Sequence, residues 1–301
     1  MSQIIRPLDL FEDAARRKYA LGFFETWDFE STLAVAKAAE NKRSPVIIGF
    51  SGIYFSHPDR VYKNYFKTYA SMLRDIADAS RVPILTIYNE SPDLENVIEN
   101  MKYGYDIVMF TDENLDADRQ AEMVAEIVAE AKKTGSILVE GEIISPVGIG
   151  TFFSDIPENL RFTDADSAAD FIEKTGIDLL AVNIGQVHMH GKKKITLNQE
   201  RLKELRRKID IPLVLHGMSS ADPADVRQSV LNGISKINVG SLIKQAYFES
   251  IKETVARTGK DYNPYQLVGS GQESDVNTKA SMKVQEVVED LLDLFMSTNK
   301  A

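Results

Sequence analysis

Short runs of apolar residues alternate with longer amphipathic segments along the whole chain. A short apolar run bounded by polar or turn residues is typical of a β-strand that is buried on both faces. The segments between the runs repeat their apolar residues at the spacing of a helix that packs one face against a core. The pattern predicts strands at residues 19–25, 45–51, 82–89, 106–111, 136–143, 179–184, 212–215 and 236–239.

Helices are predicted between these strands and after the last one. Their ranges are 31–42, 62–79, 91–102, an acidic helix that ends at 133, 164–175, two helices that begin at 198 and 223, and finally 242–257 and 277–296. A continuous series of strand–helix units in an α/β chain predicts a single (β/α)8 barrel, the TIM-barrel fold.

The chain length agrees with this fold, since a (β/α)8 barrel needs about 250 residues. We therefore expect one TIM-barrel domain over residues 1–301, with an extra C-terminal helix. A doubly wound open sheet is the alternative. It is less favoured because the chain lacks the glycine-rich GxGxxG turn that marks the ligand site of that fold.

Composition narrows the class of partner. The chain has 45 acidic and 35 basic residues and a formal net charge of −10, which argues against nucleic acid or an anionic membrane. It has no cysteine, which excludes disulfides, thiolate metal sites and a cysteine nucleophile. No apolar stretch approaches the roughly 20 residues of a membrane span, and the N-terminus has no apolar signal core. We expect a cytoplasmic protein.

Polar residues follow the predicted strands at their carboxyl ends, where barrel enzymes place their active sites. Three of the four histidines, His188, His190 and His216, follow the sixth and seventh strands. Imidazole together with carboxylates suits a divalent transition metal such as zinc. For each of these histidines, the alternative is a structural role with hydrogen bonds and no metal. Glu140, on the fifth strand, is expected either to bind a cation or to form a structural ion pair. The other strand-end residues are Glu25, Ser51, Asn89, Glu90, Thr111, Asp112, Glu142, Asn238 and Ser241.

The loops after the last three strands have the composition of an anion site. Barrels often bind phosphate in the loops after strands seven and eight. Gly217 permits a close approach of backbone, and Ser219 and Ser241 supply hydroxyl donors. Gly185 opens the preceding loop in the same way, beside a lysine run at 192–194. These loops predict an anionic, phosphorylated substrate.

Three motifs define a family resemblance: IG-x-x-H at 184–188, LHG-x-S at 215–219 and KIN-V-x-S at 236–241. With the stretch PLDLFEDAARRKYALGFF and the segment VEGEI, they make the chain resemble the class II, metal-dependent ketose-bisphosphate aldolases over nearly its whole length. The resemblance implies a TIM barrel, a divalent metal that is most commonly zinc, a phosphorylated sugar substrate, and a homodimer or homotetramer.

The resemblance also implies roles for particular residues. His188 and His216 match zinc-ligating histidines of the family, and Glu142 matches a glutamate close to the metal. The phosphate of dihydroxyacetone phosphate is held at positions that match Gly217, Ser219 and Ser241. Asn238 matches an asparagine that contacts the triose, and Ser51 matches a serine near the substrate carbonyl.

The chain departs from the family pattern at both ends of the substrate. The family has His-x-Asp-His after the third strand, with the aspartate as acid/base and the last histidine on zinc; here Asn89 and Glu90 occupy those two positions. Asn89 cannot exchange a proton, whereas Glu90 can ligate a metal through oxygen. Gly240 replaces an aspartate of the phosphate loop, Met218 replaces a glycine, and residues 262–265 lack the arginine that holds a second phosphate.

These observations predict a metal-dependent aldolase that cleaves a phosphorylated ketose other than fructose 1,6-bisphosphate to dihydroxyacetone phosphate and an aldehyde. The expected metal is Zn²⁺, held by His188, His216 and Glu90. Glu142, Glu90 or Tyr88 would move the proton on the aldehyde side. A non-catalytic sugar-phosphate-binding homologue or subunit is one alternative, and a sugar-phosphate isomerase or epimerase is the other.

Overall fold

The computed structural model describes residues 6–63, 65–143, 161–187 and 194–301. Within these ranges, eight parallel strands pair in chain order and close into a barrel through β8 and β1. The strands are β1 (Leu21–Glu25), β2 (Val46–Ser51), β3 (Ile84–Ser91), β4 (Ile107–Phe110), β5 (Leu138–Glu142), β6 (Leu179–Val182), β7 (Leu213–Leu215) and β8 (Ile234–Val239). The predicted TIM barrel is confirmed.

The helices surround the barrel, and the first of them precedes β1. They are α1 (Pro7–Arg17), α2 (Phe29–Lys42), α3 (Gly52–Phe55), α4 (Phe66–Ala79), α5 (Leu94–Met101), α6 (Ala117–Thr134), α7 (Ala165–Thr175), α8 (Gln199–Lys208), α9 (Pro223–Leu231), α10 (Ser241–Arg257), α11 (Pro264–Leu267) and α12 (Val276–Leu294). Among those described, no helix is both long and apolar enough to cross a lipid bilayer.

The N-terminal helix α1 was not predicted from the sequence. Leu10, Phe11 and Ala14 of this helix are buried and pack with Tyr19 and with the first inward-facing residues of the strands. The helix therefore closes the amino-terminal end of the barrel. The opposite end, where the strands finish, carries the polar residues singled out in the sequence.

The two-residue alternation of strand side chains divides the barrel interior into layers. Apolar inward-facing residues such as Phe23, Ile47, Ile87 and Val214 fill the lower part. Two or four residues further along each strand, the last inward position is polar. We call these eight positions the rim layer; they are Glu25, Ser51, Asn89, Thr111, Glu142, Asn183, His216 and Asn238.

Close contact between β2 and β3 depends on a glycine. Gly49 lies opposite Ile87 in the register of the two strands. A Cβ atom at Gly49 would stand 2.0 Å from the backbone oxygen of Ile87 and 2.6 Å from its Cγ2. Since backbone atoms cannot move aside as a flexible side chain does, any larger residue would separate two strands below the rim layer.

We expect Gly49→Ala to lower the free energy of unfolding by about 1–3 kcal/mol or more, because it overpacks the barrel wall. Urea unfolding followed by circular dichroism measures the change. Gly259→Ala is the matched control, since a Cβ there meets no described atom within 4 Å. Equal stability of the two variants would contradict the assigned role of Gly49.

Candidate active site

His216 lies at the centre of a hydrogen-bonded group at the rim of the barrel. It follows β7, faces inward, and is only 1% exposed. Its Nδ1 is 3.1 Å from Oε1 of Glu90, and its Nε2 is 2.9 Å from Oε1 of Glu140. Nδ2 of Asn238 also lies 2.9 Å from Nε2. Residues from β3, β5, β7 and β8 thus meet on one imidazole ring.

A buried lysine completes this group. Lys236 of β8 is 0% exposed, and its Nζ donates to Oε2 of Glu140 at 2.6 Å and to Oδ1 of Asn238 at 2.8 Å. The ammonium also lies 4.9 Å from the centre of the Phe23 ring. A charge without water needs such partners, because an unpaired buried ion is very costly. Glu140 therefore forms the structural ion pair that the sequence left open.

The charges in this group determine its protonation. Burial lowers the pKa of His216, but hydrogen bonds from its ring to Glu140 and Glu90, together with their charges, raise it to about 10. Burial raises the pKa of Glu140, yet the charge of Lys236 and the contact with His216 leave it below its usual range. The two carboxylates thus favour the protonated form of the ring, and a metal ion at Nδ1 would displace a proton.

Glu90 faces the same ring because the backbone of β3 is irregular. Asn89 occupies the inward position, so strict alternation would turn Glu90 outward. Glu90 instead has a φ of 50°, and the pairing register of β3 with β4 shifts between Tyr88 and Ser91. Irregularities of this kind re-aim side chains near functional sites. Both predicted residues at the end of β3 thus reach the rim.

Asn89 carries an unsatisfied acceptor. The residue is buried, and among the described residues its Oδ1 has no hydrogen-bond partner. Ser51 is its register partner on β2. Buried polar atoms are rarely left unpaired, so an unpaired acceptor at a strand end indicates a place where a ligand or water donates.

Tyr88, proposed as a proton donor, lies elsewhere. It belongs to the apolar layer between the barrel and the helices, where its ring packs against Phe66 and Tyr105. Its hydroxyl is 3.4 Å from Oγ of Ser91. Because neighbouring strand residues face opposite sides, the inward position of Asn89 directs Tyr88 away from the rim. The prediction that Tyr88 transfers a proton at the rim is therefore wrong, because its hydroxyl lies on the other side of the barrel wall.

Glu142 joins the rim layer from β5. It is buried, and Oγ1 of Thr111 donates to its Oε1 at 2.7 Å. The contact ties the ends of β4 and β5 together. A carboxylate that is buried and held in this way is a reasonable group for proton transfer.

The predicted phosphate loops come together at the ends of β7 and β8. Ser241 Oγ donates to Ser219 Oγ at 3.1 Å. Gly217 has a φ of 62° and starts a short 3₁₀ turn, which directs Ser219 toward α10. Gly185 has a φ of 108° at the entry to the neighbouring loop. Lys194 Nζ donates to the backbone oxygen of Ser219 at 2.8 Å.

His188, with His190 and the lysines at 192 and 193, lies outside the described residues. Within the described ranges, no cluster of three or more histidine, aspartate and glutamate side chains is arranged to hold a metal ion.

The two described ligand candidates nevertheless fit a metal. His216 Nδ1 and Glu90 Oε1 are 3.1 Å apart, close enough for both to reach one ion at the usual ligand distances of about 2.0–2.2 Å. The other ring nitrogen is held by Glu140, and a carboxylate in that position typically orients a metal-binding histidine.

Two parts of the site were not predicted. Lys236 and Glu140 both occupy inward positions of their strands, and they form an ion pair across the barrel. The alternation of inward and outward positions along the strands is the sequence signal that predicts such a pair. Glu25 was noted as a strand end, but its ion pair with Lys244 of α10 was not foreseen.

These features define a class of protein: a TIM barrel with a polar, charge-paired site at the carboxyl ends of its strands and a hydroxyl-bearing loop beside it. The family described as "Fructose-bisphosphate aldolase class-II" matches residues 6–300. The chain belongs to the class II fructose-bisphosphate aldolase family, and it is an aldolase-type lyase. Class II aldolases are generally dependent on a divalent metal.

Relatives and solved structures agree with this family. The uncharacterized protein YdjI of Escherichia coli K12 is 32% identical over 80% of this chain and 84% of its own. The crystal structure of the E. coli YdjI aldolase superposes with a TM-score of 0.77 at 27% identity, covering 97% of each chain. Sulfofructosephosphate aldolase of Alkalicoccus urumqiensis is 28% identical over 97% of this chain and 96% of its own.

We expect Lys236→Met to destabilise the protein by about 3–5 kcal/mol, because it leaves the buried Glu140 carboxylate without its cation. Adding Glu140→Gln should recover part of the loss. Denaturant unfolding of both variants measures this. Lys203→Met, which removes an exposed pair with Glu200, is the control and should cost about 0–1 kcal/mol. A Lys236→Met cost equal to that of the control would refute the pairing argument.

Proposed function

We propose that the protein is a divalent-metal-dependent aldolase that cleaves a ketose carrying one phosphate to dihydroxyacetone phosphate and an aldehyde. The observation that carries the proposal is the convergence of His216 and Glu90 at 3.1 Å beside the paired hydroxyls of Ser219 and Ser241. A metal-binding pair and an anion loop at one rim suit a substrate that bears a carbonyl and a phosphate close together.

In this proposal His216 and Glu90 hold the ion, with His188 as the third ligand that the family resemblance implies. When bound, a divalent ion such as Zn²⁺ supplies Lewis acidity at the substrate carbonyl. The chain's own contribution is orientation. Glu140 holds the Nε2 side of His216, Lys236 holds Glu140, and the Nδ1 side is thereby turned toward Glu90.

The phosphate is assigned to the loops after β6, β7 and β8. Ser219 and Ser241 present their hydroxyl groups there, and Gly217 lets the backbone of the loop approach. Gly185 has the same role in the preceding loop, and Asn238, which contacts Nε2 of His216, faces the triose portion of the substrate in this proposal. Hydroxyl and backbone donors of this kind bind phosphate oxygens without requiring a cation.

Carbon–carbon cleavage also requires a proton to leave the hydroxyl on the aldehyde side. Asn89 cannot take it, but its unpaired Oδ1 can accept a hydrogen bond from that hydroxyl. Glu142 is the carboxylate that takes the proton in this proposal, because Glu90 is committed to the ion. Ser51, opposite Asn89, lines the same side of the site.

A single phosphate is preferred because the chain lacks the arginine that the resemblance places at a second phosphate. Relatives of the chain include both a fructose-bisphosphate aldolase and a sulfofructosephosphate aldolase, so family membership alone does not specify the substrate tail. A cytoplasmic location and a homodimer or homotetramer stay predictions.

Chelation provides the direct test of function. We expect purified protein to release triose phosphate from fructose 1-phosphate or tagatose 1-phosphate in a coupled assay. Treatment with EDTA should abolish release, and added Zn²⁺ should restore it. Release that persists after chelation would contradict metal dependence. Sugar-phosphate binding without turnover would favour the non-catalytic alternative, and isomerised sugar without cleavage would favour the isomerase.

A substitution at the proposed ligand gives a second test. Glu90→Gln should weaken zinc affinity by at least about tenfold, since even outer residues of metal sites have effects of that size. Competition with a chromogenic chelator measures the affinity. Glu113→Gln, at an exposed position after β4, is the matched control. Unchanged zinc affinity in Glu90→Gln would remove this residue from the ligand set.

A further inference from the structure

An ion pair occupies the part of the rim to which the sequence assigned no role. Glu25 is the rim-layer residue of β1, and Lys244 lies in the first turn of α10, directly after β8. Lys244 Nζ donates to Oε1 of Glu25 at 2.5 Å and lies 4.7 Å from the centre of the Tyr54 ring. The side chains of Glu25 and Lys244 are 16% and 35% exposed, so a ligand at the carboxyl-terminal end of the barrel can reach them.

Gly240 makes room for this pair. A Cβ atom at Gly240 would lie 2.5 Å from Oε2 of Glu25. The carboxylate therefore takes up the space that a side chain at position 240 would need. The family resemblance places an aspartate at position 240, so in this chain the carboxylate at this point comes from β1 and not from β8. We call the space bounded by Glu25, Gly240 and Lys244 the β1–β8 notch.

One oxygen of Glu25 remains available in the notch. Oε1 accepts from Lys244, but Oε2 accepts no hydrogen bond from any described residue. Oε2 is also not among the fully enclosed atoms without a partner, so it is open to solvent or to a ligand. Lys244 in turn uses one of its three N–H donors on Glu25. A free acceptor thus stands beside free donors.

This combination suits a hydroxyl group better than a phosphate. A hydroxyl both donates and accepts, so it can donate to Oε2 and accept from Nζ. A phosphate ester only accepts, and it brings a charge of about −1.5 to −2 at pH 7. Its oxygens would face Oε2 with no hydrogen between them.

We propose that the β1–β8 notch recognises an uncharged, hydroxyl-bearing tail of a ketose monophosphate and disfavours a tail that ends in a second phosphate. Glu25 accepts a hydrogen bond from the tail hydroxyl, and Lys244 donates a hydrogen bond to the same hydroxyl. Gly240, which has no side chain, leaves room for the Glu25 carboxylate at this position. The inference rests on the proposed function in two respects, that a phosphorylated ketose binds at this rim and that its aldehyde end extends from Ser51 of β2 toward Glu25 of β1. It adds the residues that select its tail.

The experiment compares two ligands that differ only in the tail group. Fructose 1-phosphate ends in a hydroxyl, and fructose 1,6-bisphosphate ends in a phosphate. Isothermal titration of the zinc-loaded full chain should show at least about tenfold tighter binding of the monophosphate, because like charges in contact are unfavourable by several kcal/mol. Triose-phosphate release is measured on the same samples.

Two substitutions test whether the notch causes the preference for the monophosphate over the bisphosphate. Glu25→Gln keeps the shape but removes the charge, and we expect it to bring the ratio of the two Kd values close to one. Gly240→Ala places a methyl group against Oε2 and should weaken monophosphate binding. Glu273→Gln and Gly259→Ala, at exposed positions, are the matched controls and should preserve the wild-type ratio. Thermal unfolding of each variant verifies that it is folded.

The outcomes separate the two proposals. A wild-type preference that Glu25→Gln abolishes supports the notch, even where no triose phosphate is released and the proposed function fails. Equal Kd values in the wild type, or an unchanged ratio in Glu25→Gln, overturn the notch even where cleavage is observed. Absence of binding by both sugars overturns both proposals.

Discussion

The buried ammonium of Lys236 is the constraint on which the site depends. It lies inside the barrel without access to water, so it requires a carboxylate, and Glu140 supplies one at 2.6 Å. Glu140 then has a second oxygen for Nε2 of His216, which fixes the ring with Nδ1 toward Glu90. The pairing of Lys236 with Glu140 thus orients His216, the residue that we propose as a metal ligand. The same network links strands β3, β5, β7 and β8 at the rim.

The barrel separates stability from chemistry by the parity of strand positions. Apolar inward residues and α1 fill the lower part of the barrel, and a larger apolar cluster lies between the barrel wall and the helices. Polar inward residues form the rim layer, where each buried polar group needs a hydrogen bond from the protein or from a ligand. Parity also explains why Asn89 and Tyr88, adjacent in sequence, differ in role: Asn89 faces the site, and Tyr88 packs under the helices. Glu90 faces the site despite the alternation of strand side chains, because its backbone has the left-handed conformation.

The two sides of the rim relate differently to the family. The loops after β7 and β8 carry the matching motifs, and there Ser241 Oγ donates to Ser219 Oγ. The ends of β1 and β3 carry the departures, with Glu25 beside Gly240 and with Asn89 and Glu90 near His216. We infer that handling of the phosphate and the carbonyl follows the family, whereas handling of the tail and the proton is particular to this chain.

The sequence by itself determined the order of the strands and the barrel, and it placed His216 and the loops after β7 and β8 at the carboxyl ends of the strands. These features depend on local periodicity and on short motifs, which are readable without knowing what lies across the barrel. It did not reveal α1, nor could it decide which residues pair. Lys236 and Glu140 are 96 residues apart, and Lys244 and Glu25 are 219 apart. Only closure of β8 against β1, and the burial that it imposes, brought these charges into contact and so decided the site.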